Sequence, residues 1–166
     1  IDTALGIADK KNSSRFLKRL TPLMGINIDP DETVLGKLKH LKVEPEAVEH
    51  IILSHLHFDH AGGLPDFPQA HVYVHQREYD ALQHPRKIME RIGYNPGNFA
   101  HRPDWHFVED TDTIWRGFPG IEMPLPFPCL MIPLFGHTSG HCGISLQKDD
   151  GDWLFYAGDA ALYDLG

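Results

Sequence analysis

Basic residues, cysteine and long apolar runs are all scarce in this chain of 166 residues. Its 15 Lys and Arg stand against 23 Asp and Glu, for a formal net charge of -8. That balance opposes binding to nucleic acid, because recognition of a polyanion needs a basic surface. There is no run of about 18 apolar residues to span a membrane, and no basic-then-apolar leader at the start. These absences predict a cytoplasmic protein that binds neither nucleic acid nor membranes.

The two cysteines, Cys129 and Cys142, form no CxxC pair. A thiolate metal site is therefore not expected, and any metal would be held by histidine and carboxylate side chains. A reduced cytoplasmic setting is the default for such a chain, although a disulfide between the two remains open. With 42% hydrophobic residues, the chain can bury one core, and a single domain over residues 1–166 is expected.

Metal-binding residue types are most concentrated in His55-Leu56-His57-Phe58-Asp59-His60. An apolar run that predicts a buried strand precedes this segment, and a glycine turn follows it. If the segment is extended, His55, Asp59 and the histidine between them share one face and can close on one ion. His60 breaks that register, so it can join Asp59 at a second ion nearby.

Two later blocks carry the same kind of chemistry. Gly136-His137-Thr138-Ser139-Gly140-His141 places a histidine between glycines, and an apolar strand ends in Gly158-Asp159. A chance cluster of surface histidines would not be followed by both of these blocks in order. The three blocks together therefore indicate a metal site.

The order HxHxDH, GHTxGH and GD resembles the metallo-β-lactamase superfamily, and the resemblance spans the whole chain. It implies an αββα sandwich with a first ion on His55, His57 and His137 and a second on Asp59, His60 and Asp159, with Asp159 bridging the two. His141 matches a histidine that more often holds the loop than binds metal. The interval of 80 residues from His57 to His137 favours the lactonase and organophosphate-hydrolase-like branches.

The resemblance also implies a reaction. Two divalent ions, Zn²⁺ first with Fe or Mn as alternatives, would share a water and lower its pKa toward about 7. The resulting hydroxide would attack a small ester, lactone or related small-molecule substrate. Asp59 would be both a ligand and the catalytic base, whereas Tyr163 is only a weak candidate for the leaving-group acid.

Two other functions remain open. One is an iron-dependent oxidoreductase of the same fold, of the persulfide dioxygenase or diiron oxygen reductase type. The other is a metal-binding module without catalysis. Iron content with oxygen consumption would favour the first alternative, and zinc with ester hydrolysis would favour the hydrolase.

The chain is expected to be incomplete at both ends. It begins with Ile1 rather than methionine, and Ile1-Asp2-Thr3 is similar to a strand-end segment that precedes the metal motif in many superfamily members. The resemblance implies one more histidine beyond Gly166, which would complete the second metal site.

Periodicity and turn residues predict a mixed helix and strand order. Helices are expected over 29–41, 76–82 and 85–94, a short helical turn or loop over 45–49, and strands over 51–53, 70–75, 144–147 and 153–157. The stretch 93–133, rich in proline and aromatics, is predicted to be largely irregular, as a surface loop or alternatively a pocket wall or homodimer contact. Seven histidines without a partner at ligand spacing are expected to be ordinary surface or core residues: His40, His50, His71, His75, His84, His101 and His106.

Overall fold

The structure, a computed structural model, describes residues 1–9, 28–109 and 111–160. Two sheets form its centre. Sheet one is parallel, in the order β1-β2-β3, with strands β1 (His50–Ile52), β2 (His71–His75) and β3 (Asp104–Val108). Sheet two is an antiparallel meander of β4 (Thr113–Trp115), β5 (Phe118–Glu122), β6 (Cys129–Pro133), β7 (Cys142–Gln147) and β8 (Trp153–Tyr156).

Helical segments connect the parallel strands, as crossovers between parallel neighbours require. Helix α1 (Val34–His40) precedes β1, α2 (Phe58–Ala61) lies between β1 and β2, and α3 (Gln76–Gln83) and α4 (Ile88–Gly93) lie between β2 and β3. The helix expected over 29–41 is divided at Thr33, whose hydroxyl caps α1 by accepting a hydrogen bond from the Gly36 N–H at 3.1 Å. A separate 3₁₀ turn, Pro30–Glu32, precedes it. The helices expected over 76–82 and 85–94 are confirmed, although α4 starts three residues later than its proline predicted.

Two buried clusters define the layers. Ile51 and Ile52 are neighbours on β1 and point to opposite faces of sheet one, as strand geometry requires. The outer face packs under α1 and α3 with Leu53, Leu56, Leu64, Phe67, Val72, Val74 and Ala81. The inner face packs against sheet two with Tyr73, Ile121, Met123, Met131, Cys142 and Ile144. The described residues therefore form three layers: helices, sheet one and sheet two.

The prediction that residues 93–133 are largely irregular is wrong. Strands β3 to β6 lie in this stretch. Its prolines are compatible with strands here because they sit at element ends or near a sheet edge: Pro119 pairs with Ile114 of the edge strand β4, and Pro133 is the last residue of β6. The aromatic and β-branched run of β3 was the available signal.

The hairpin predicted around residues 148–152 is confirmed by the pairing of β7 with β8. Cys129 and Cys142 lie on β6 and β7 as free, buried thiols, so the disulfide left open by the sequence is not formed. None of the described helices is both long enough and apolar enough to cross a bilayer.

Candidate metal centre

His55 and His57 lie just beyond the carboxyl end of β1, where the chain leaves sheet one. His55 is fully buried and the side chain of His57 nearly so. The His55 Nδ1 atom lies 3.0 Å from the Ser54 hydroxyl oxygen. His57 is the residue that precedes α2, with extended backbone. The two rings stand edge to face with centroids 4.6 Å apart, so both imidazoles face one small volume.

The loop between β6 and β7 brings His137 to this volume from 80 residues away. Its Nε2 atom lies 3.0 Å from Nδ1 of His57. Ligand atoms of His55, His57 and His137 all lie within 4.8 Å of one another. The residues predicted to hold the first ion are therefore brought together by the fold.

A second group shares His55 and adds His60 and Asp159, again with ligand atoms within 4.8 Å of one another. The Asp159 carboxylate faces both groups, since Oδ1 lies 3.3 Å from Nε2 of His60 and Oδ2 lies 3.2 Å from Nε2 of His137. This position between the two groups is the one from which a carboxylate can bridge two ions.

Asp59 does not belong to either group. It is exposed and lies in α2, which begins at Phe58. The expected extended register from His55 to Asp59 is therefore wrong, because a helical turn removes Asp59 from the face shared by the two histidines. Its role as ligand and base remains a prediction. Tyr163, the weak candidate for a leaving-group acid, lies outside the described residues.

Burial keeps the imidazoles of His55 and His57 neutral. Burial first, and then the charges of His60 and His57, strongly lower the pKa of His55. Burial, and then His137, lower the pKa of His57 to about 3. A neutral imidazole offers a lone pair to a metal, whereas a protonated one does not.

The donor set fits a divalent metal. The Nε2 atoms of His55 and His57 are buried without a hydrogen-bond partner among the described residues. Buried polar atoms normally have partners, so the orphaned Nε2 of His55, whose ring lies beside those of His57 and His137, indicates a ligand, whereas Nε2 of His57 faces Gly93. Imidazole with carboxylate suits zinc and also accepts iron, manganese or cobalt.

Asp2 fixes His60 from the far end of the described chain. Its Oδ2 atom lies 2.8 Å from Nδ1 of His60. The same carboxylate accepts hydrogen bonds from the Ser54 N–H at 2.7 Å, the Ser54 hydroxyl at 2.8 Å and the Tyr156 hydroxyl at 2.9 Å. Although burial lowers the pKa of His60, its hydrogen bond to Asp2 and the charge of Asp2 raise the pKa above its usual value. From the sequence, Asp2 has no predicted role at the metal centre.

His141 positions Asp159 instead of joining either ligand group, as its place in the resemblance suggested. Its Nδ1 donates to the Leu134 carbonyl at 3.2 Å, so Nε2 is free to accept the Asp159 N–H at 2.9 Å. Gly158 permits this contact because its φ is +54° and a Cβ there would lie 2.6 Å from Nε2 of His141.

Two buried carboxylates hold the loop that carries the third histidine. Glu78 Oε1 accepts hydrogen bonds from the Leu56 N–H and the Tyr94 hydroxyl, both at 3.0 Å. Its Oε2 accepts from the Thr138 hydroxyl at 2.6 Å and the Gly140 N–H at 3.0 Å. Helix α3 is thereby tied to both histidine-bearing segments.

Glu90 of α4 is the second of these carboxylates. Its Oε1 accepts from the N–H and the hydroxyl of Ser139, and its Oε2 accepts from the N–H groups of Arg86 and Lys87. No local motif marks Glu78, whose partners lie 16 to 62 residues away. Glu90 combines a local cap of α4 with its contact to Ser139, 49 residues away, which the sequence does not reveal.

The close approach of α4 to the centre depends on Gly93. A Cβ at this position would lie 2.2 Å from Cδ2 and 2.5 Å from Nε2 of His57. Only glycine therefore leaves room for the ring. Tyr94, which follows, forms an antiparallel bridge with His57.

Residues 17–164 match the metallo-β-lactamase superfamily. The chain belongs to this superfamily, as its motifs predicted. A probable metallo-hydrolase of Mycobacterium tuberculosis is 33% identical over 166 residues, which cover 96% of this chain and 52% of the relative. An N-acyl homoserine lactonase of Bacillus thuringiensis is 38% identical over 131 residues, which cover 79% and 46%.

Solved structures show the same fold. A probable metal-dependent hydrolase from Staphylococcus aureus has a TM-score of 0.73 at 23% identity, covering 96% of this chain and 52% of its own. An N-acyl homoserine lactone hydrolase with the product N-hexanoyl-L-homoserine at its catalytic metal centre has a TM-score of 0.68 at 21% identity, covering 95% and 57%. The predicted metallo-β-lactamase sandwich is confirmed. The chain spans about half the length of these relatives.

Proposed function

We propose that this chain carries the metal centre of a hydrolase that acts on small esters, with lactones as the first substrate class to test. The observation that carries the proposal is the convergence of His55, His57 and His137, with His60 and Asp159 beside them. A metal-binding module without catalysis would not need a second ligand group, because one closed set of four ligands suffices for a structural ion.

His55, His57 and His137 would hold one divalent ion, and His60 and Asp159 would contribute to a second, with Asp59 as a further ligand. Two ions bound there would lower the pKa of a shared water to give a hydroxide and would polarise the carbonyl oxygen of the substrate. Zn²⁺ is the first candidate, since imidazole and carboxylate suit it.

The chain's own residues hold this arrangement rigidly. Asp159 is fixed through its backbone N–H by His141, and its two carboxylate oxygens face different histidines. Asp2 sets the ring orientation of His60 by contacting Nδ1, which leaves Nε2 directed at Asp159. A ligand held by such a partner keeps its lone pair aimed at the ion.

Asp59 is proposed as the proton acceptor. Its carboxylate is exposed on the turn that also carries His60, and its charge helps to raise the pKa of that histidine. A carboxylate open to solvent can take a proton from the attacking water and release it. The Tyr94 and Tyr156 hydroxyls already donate to Glu78 and Asp2, so neither is a free acid for the leaving group.

The substrate class rests on relatives. One relative is named an N-acyl homoserine lactonase, and a structural neighbour holds the ring-opened product of such a lactone. We therefore propose a small, uncharged lactone or ester as substrate. A cytoplasmic location and a homodimer are separate proposals that do not rest on these relatives.

The test is metal analysis followed by a substrate panel of lactones, thioesters, phosphotriesters and β-lactams. Protein loaded with Zn²⁺ should open lactones faster than it cleaves the other classes. His137→Ala should abolish this turnover, whereas His84→Gln, at an exposed histidine outside both ligand groups, should leave it unchanged. Iron with oxygen consumption and no ester hydrolysis would overturn the proposal in favour of an oxidoreductase.

A further inference from the structure

A third group of metal-ligand atoms lies away from the centre, at the amino ends of sheet one. We call it the edge cluster: His71, Asp104 and His106. Nδ1 of His71 lies 2.7 Å from Oδ2 of Asp104 and 3.1 Å from Nε2 of His106. Nε2 of His106 lies 3.3 Å from the same carboxylate oxygen. The three atoms thus form a closed triangle.

Parallel pairing of β2 with β3 creates the edge cluster. His71 pairs with Asp104, and Tyr73 pairs with His106, so the two β3 residues lie two positions apart on one strand. Residues two apart in a strand point to the same face. From the sequence, His71 and His106 are predicted to be ordinary surface or core residues, and both are indeed partly exposed. The cluster was not visible in the sequence because His71 joins Asp104 and His106 from the neighbouring strand.

The edge cluster is separate from the first centre. His50, His71 and Asp104 align across the first residues of the three parallel strands. His55 follows the opposite, carboxyl end of β1. The side chains of the edge cluster are 41–59% exposed, so a solvated ion could reach them directly.

The spacing is close to that expected of ligand atoms around a small transition metal. Two ligand atoms bound tetrahedrally at 2.0–2.1 Å lie about 3.3 Å apart, and a right-angle pair lies about 2.9 Å apart. The three separations in the edge cluster span 2.7–3.3 Å. Without an ion, one contact of the triangle is unfavourable in either tautomer: two protonated nitrogens would direct their hydrogens at each other, and an unprotonated nitrogen would face the carboxylate oxygen, which only accepts.

We propose that His71, Asp104 and His106 form an additional site for a divalent transition metal of the Zn²⁺, Ni²⁺ or Cu²⁺ type. A site of two imidazoles and one carboxylate favours these ions over Mg²⁺ and Ca²⁺. The three ligands leave at least one position open. The ring of His50 lies 5.6 Å from that of His71, centroid to centroid, and offers the nearest fourth imidazole.

An ion in this site would join β2 to β3. Because it binds the paired strands of the folded chain and finds no such triangle in the unfolded chain, it stabilises the fold by mass action. Binding at the edge cluster should therefore raise the melting temperature without changing hydrolysis, which depends on residues at the other end of the sheet.

The experiment titrates Zn²⁺, and separately Ni²⁺, into protein whose first centre is already loaded, with calorimetry to count further equivalents. Wild-type protein should bind one more equivalent. His71→Gln and His106→Gln should each weaken that binding by at least about tenfold, as loss of one of three ligands implies. The matched controls are His40→Gln and His84→Gln, at exposed histidines outside the edge cluster.

Substitution at these exposed positions should preserve the fold, which circular dichroism checks, and Asp104→Asn provides a third variant if either histidine variant fails to fold. The proposal is overturned if the loaded wild-type protein takes up no further equivalent at about 1 mM metal, an affinity of only about 4 kcal/mol. It is equally overturned if the control variants lose as much binding as the edge-cluster variants. Neither outcome depends on whether the first centre hydrolyses lactones.

Discussion

The Oδ2 atom of Asp2 lies 2.8 Å from Nδ1 of His60, although 58 residues separate the two in sequence. The contact leaves Nε2 of His60 as the nitrogen that faces Asp159, at 3.3 Å. A carboxylate behind a ligand histidine both orients the ring and makes it a stronger donor. Asp2 therefore supports the second ligand group without being a ligand itself.

Asp2→Asn should weaken metal binding at the second group by roughly 10 to 100-fold, the usual effect of removing such a supporting carboxylate. The amide keeps the size of the side chain but cannot accept all the hydrogen bonds that Ser54, Tyr156 and His60 direct at it. Competition with a chelator measures the affinity of each equivalent. An Asp2→Asn protein that holds both equivalents as tightly as wild type would refute the supporting role.

Gly93→Ala should disrupt the centre through packing. The added Cβ would lie 2.2 Å from Cδ2 of His57, so the ring or α4 must move, and a shift of about 1 Å can cost roughly 10²-fold in activity. Gly136→Ala is the control, because a Cβ next to His137 would contact nothing within 4 Å. Metal content and turnover of the two variants should differ sharply, and equal values would contradict the packing argument.

In the metal-free protein, His57 should make the free energy of unfolding depend on pH. Unfolded histidine takes up a proton below about pH 6.5, whereas burial holds the pKa of folded His57 at about 3. Between these values the unfolded chain binds more protons, so this contribution to stability is lost as the pH falls. One such histidine contributes a slope of up to about 1.4 kcal/mol per pH unit.

Denaturant titrations of wild type and His57→Gln between pH 7 and pH 4, with chelator present, measure this slope. Asp9 acts in the opposite direction, since burial raises its pKa to about 6 and its contribution is lost as the pH rises. It is present in both proteins and cancels in the comparison. Wild type should lose more stability than His57→Gln on acidification, and parallel curves would show that His57 is not held neutral.

Asp59→Asn should lower turnover by roughly 10²-fold or more, the scale of a lost general base, while metal at the first group is retained. An amide has the shape of the carboxylate but cannot take the proton. Because Asp59 lies outside the first ligand group and is proposed only as a further ligand of the second ion, the loss should fall on turnover more than on metal at the first group. Full turnover with full metal content would remove Asp59 from the mechanism.

Much of the site could be predicted because its ligands fall in short blocks. His55 and His57 follow an apolar strand, and His137 and Asp159 flank a hairpin with clear turn residues. Such local patterns are visible in one sequence. Asp59 was misplaced for a physical reason: the chain turns into a helix at Phe58, and the period of two that applied to the strand no longer holds.

Other features could not be predicted because they depend on tertiary contacts. In the sequence, Glu78 is indistinguishable from an exposed helical glutamate. In the structure, its side chain is fully buried and accepts four hydrogen bonds from three segments. The pairing of His71 with Asp104 follows from strand register, which a single sequence does not specify. Strand β3 was missed because nearby prolines suggested irregular structure.

The most direct test of the metal centre compares wild type with His137→Ala. Elemental analysis gives the number of metal equivalents that each protein binds, and lactone turnover is measured on the same preparations. His137 closes the first ligand group, with Nε2 3.0 Å from Nδ1 of His57. Wild type should bind a divalent transition metal at this group, and His137→Ala should lose that equivalent together with lactone turnover. A His137→Ala protein with the metal content and turnover of wild type would contradict this assignment.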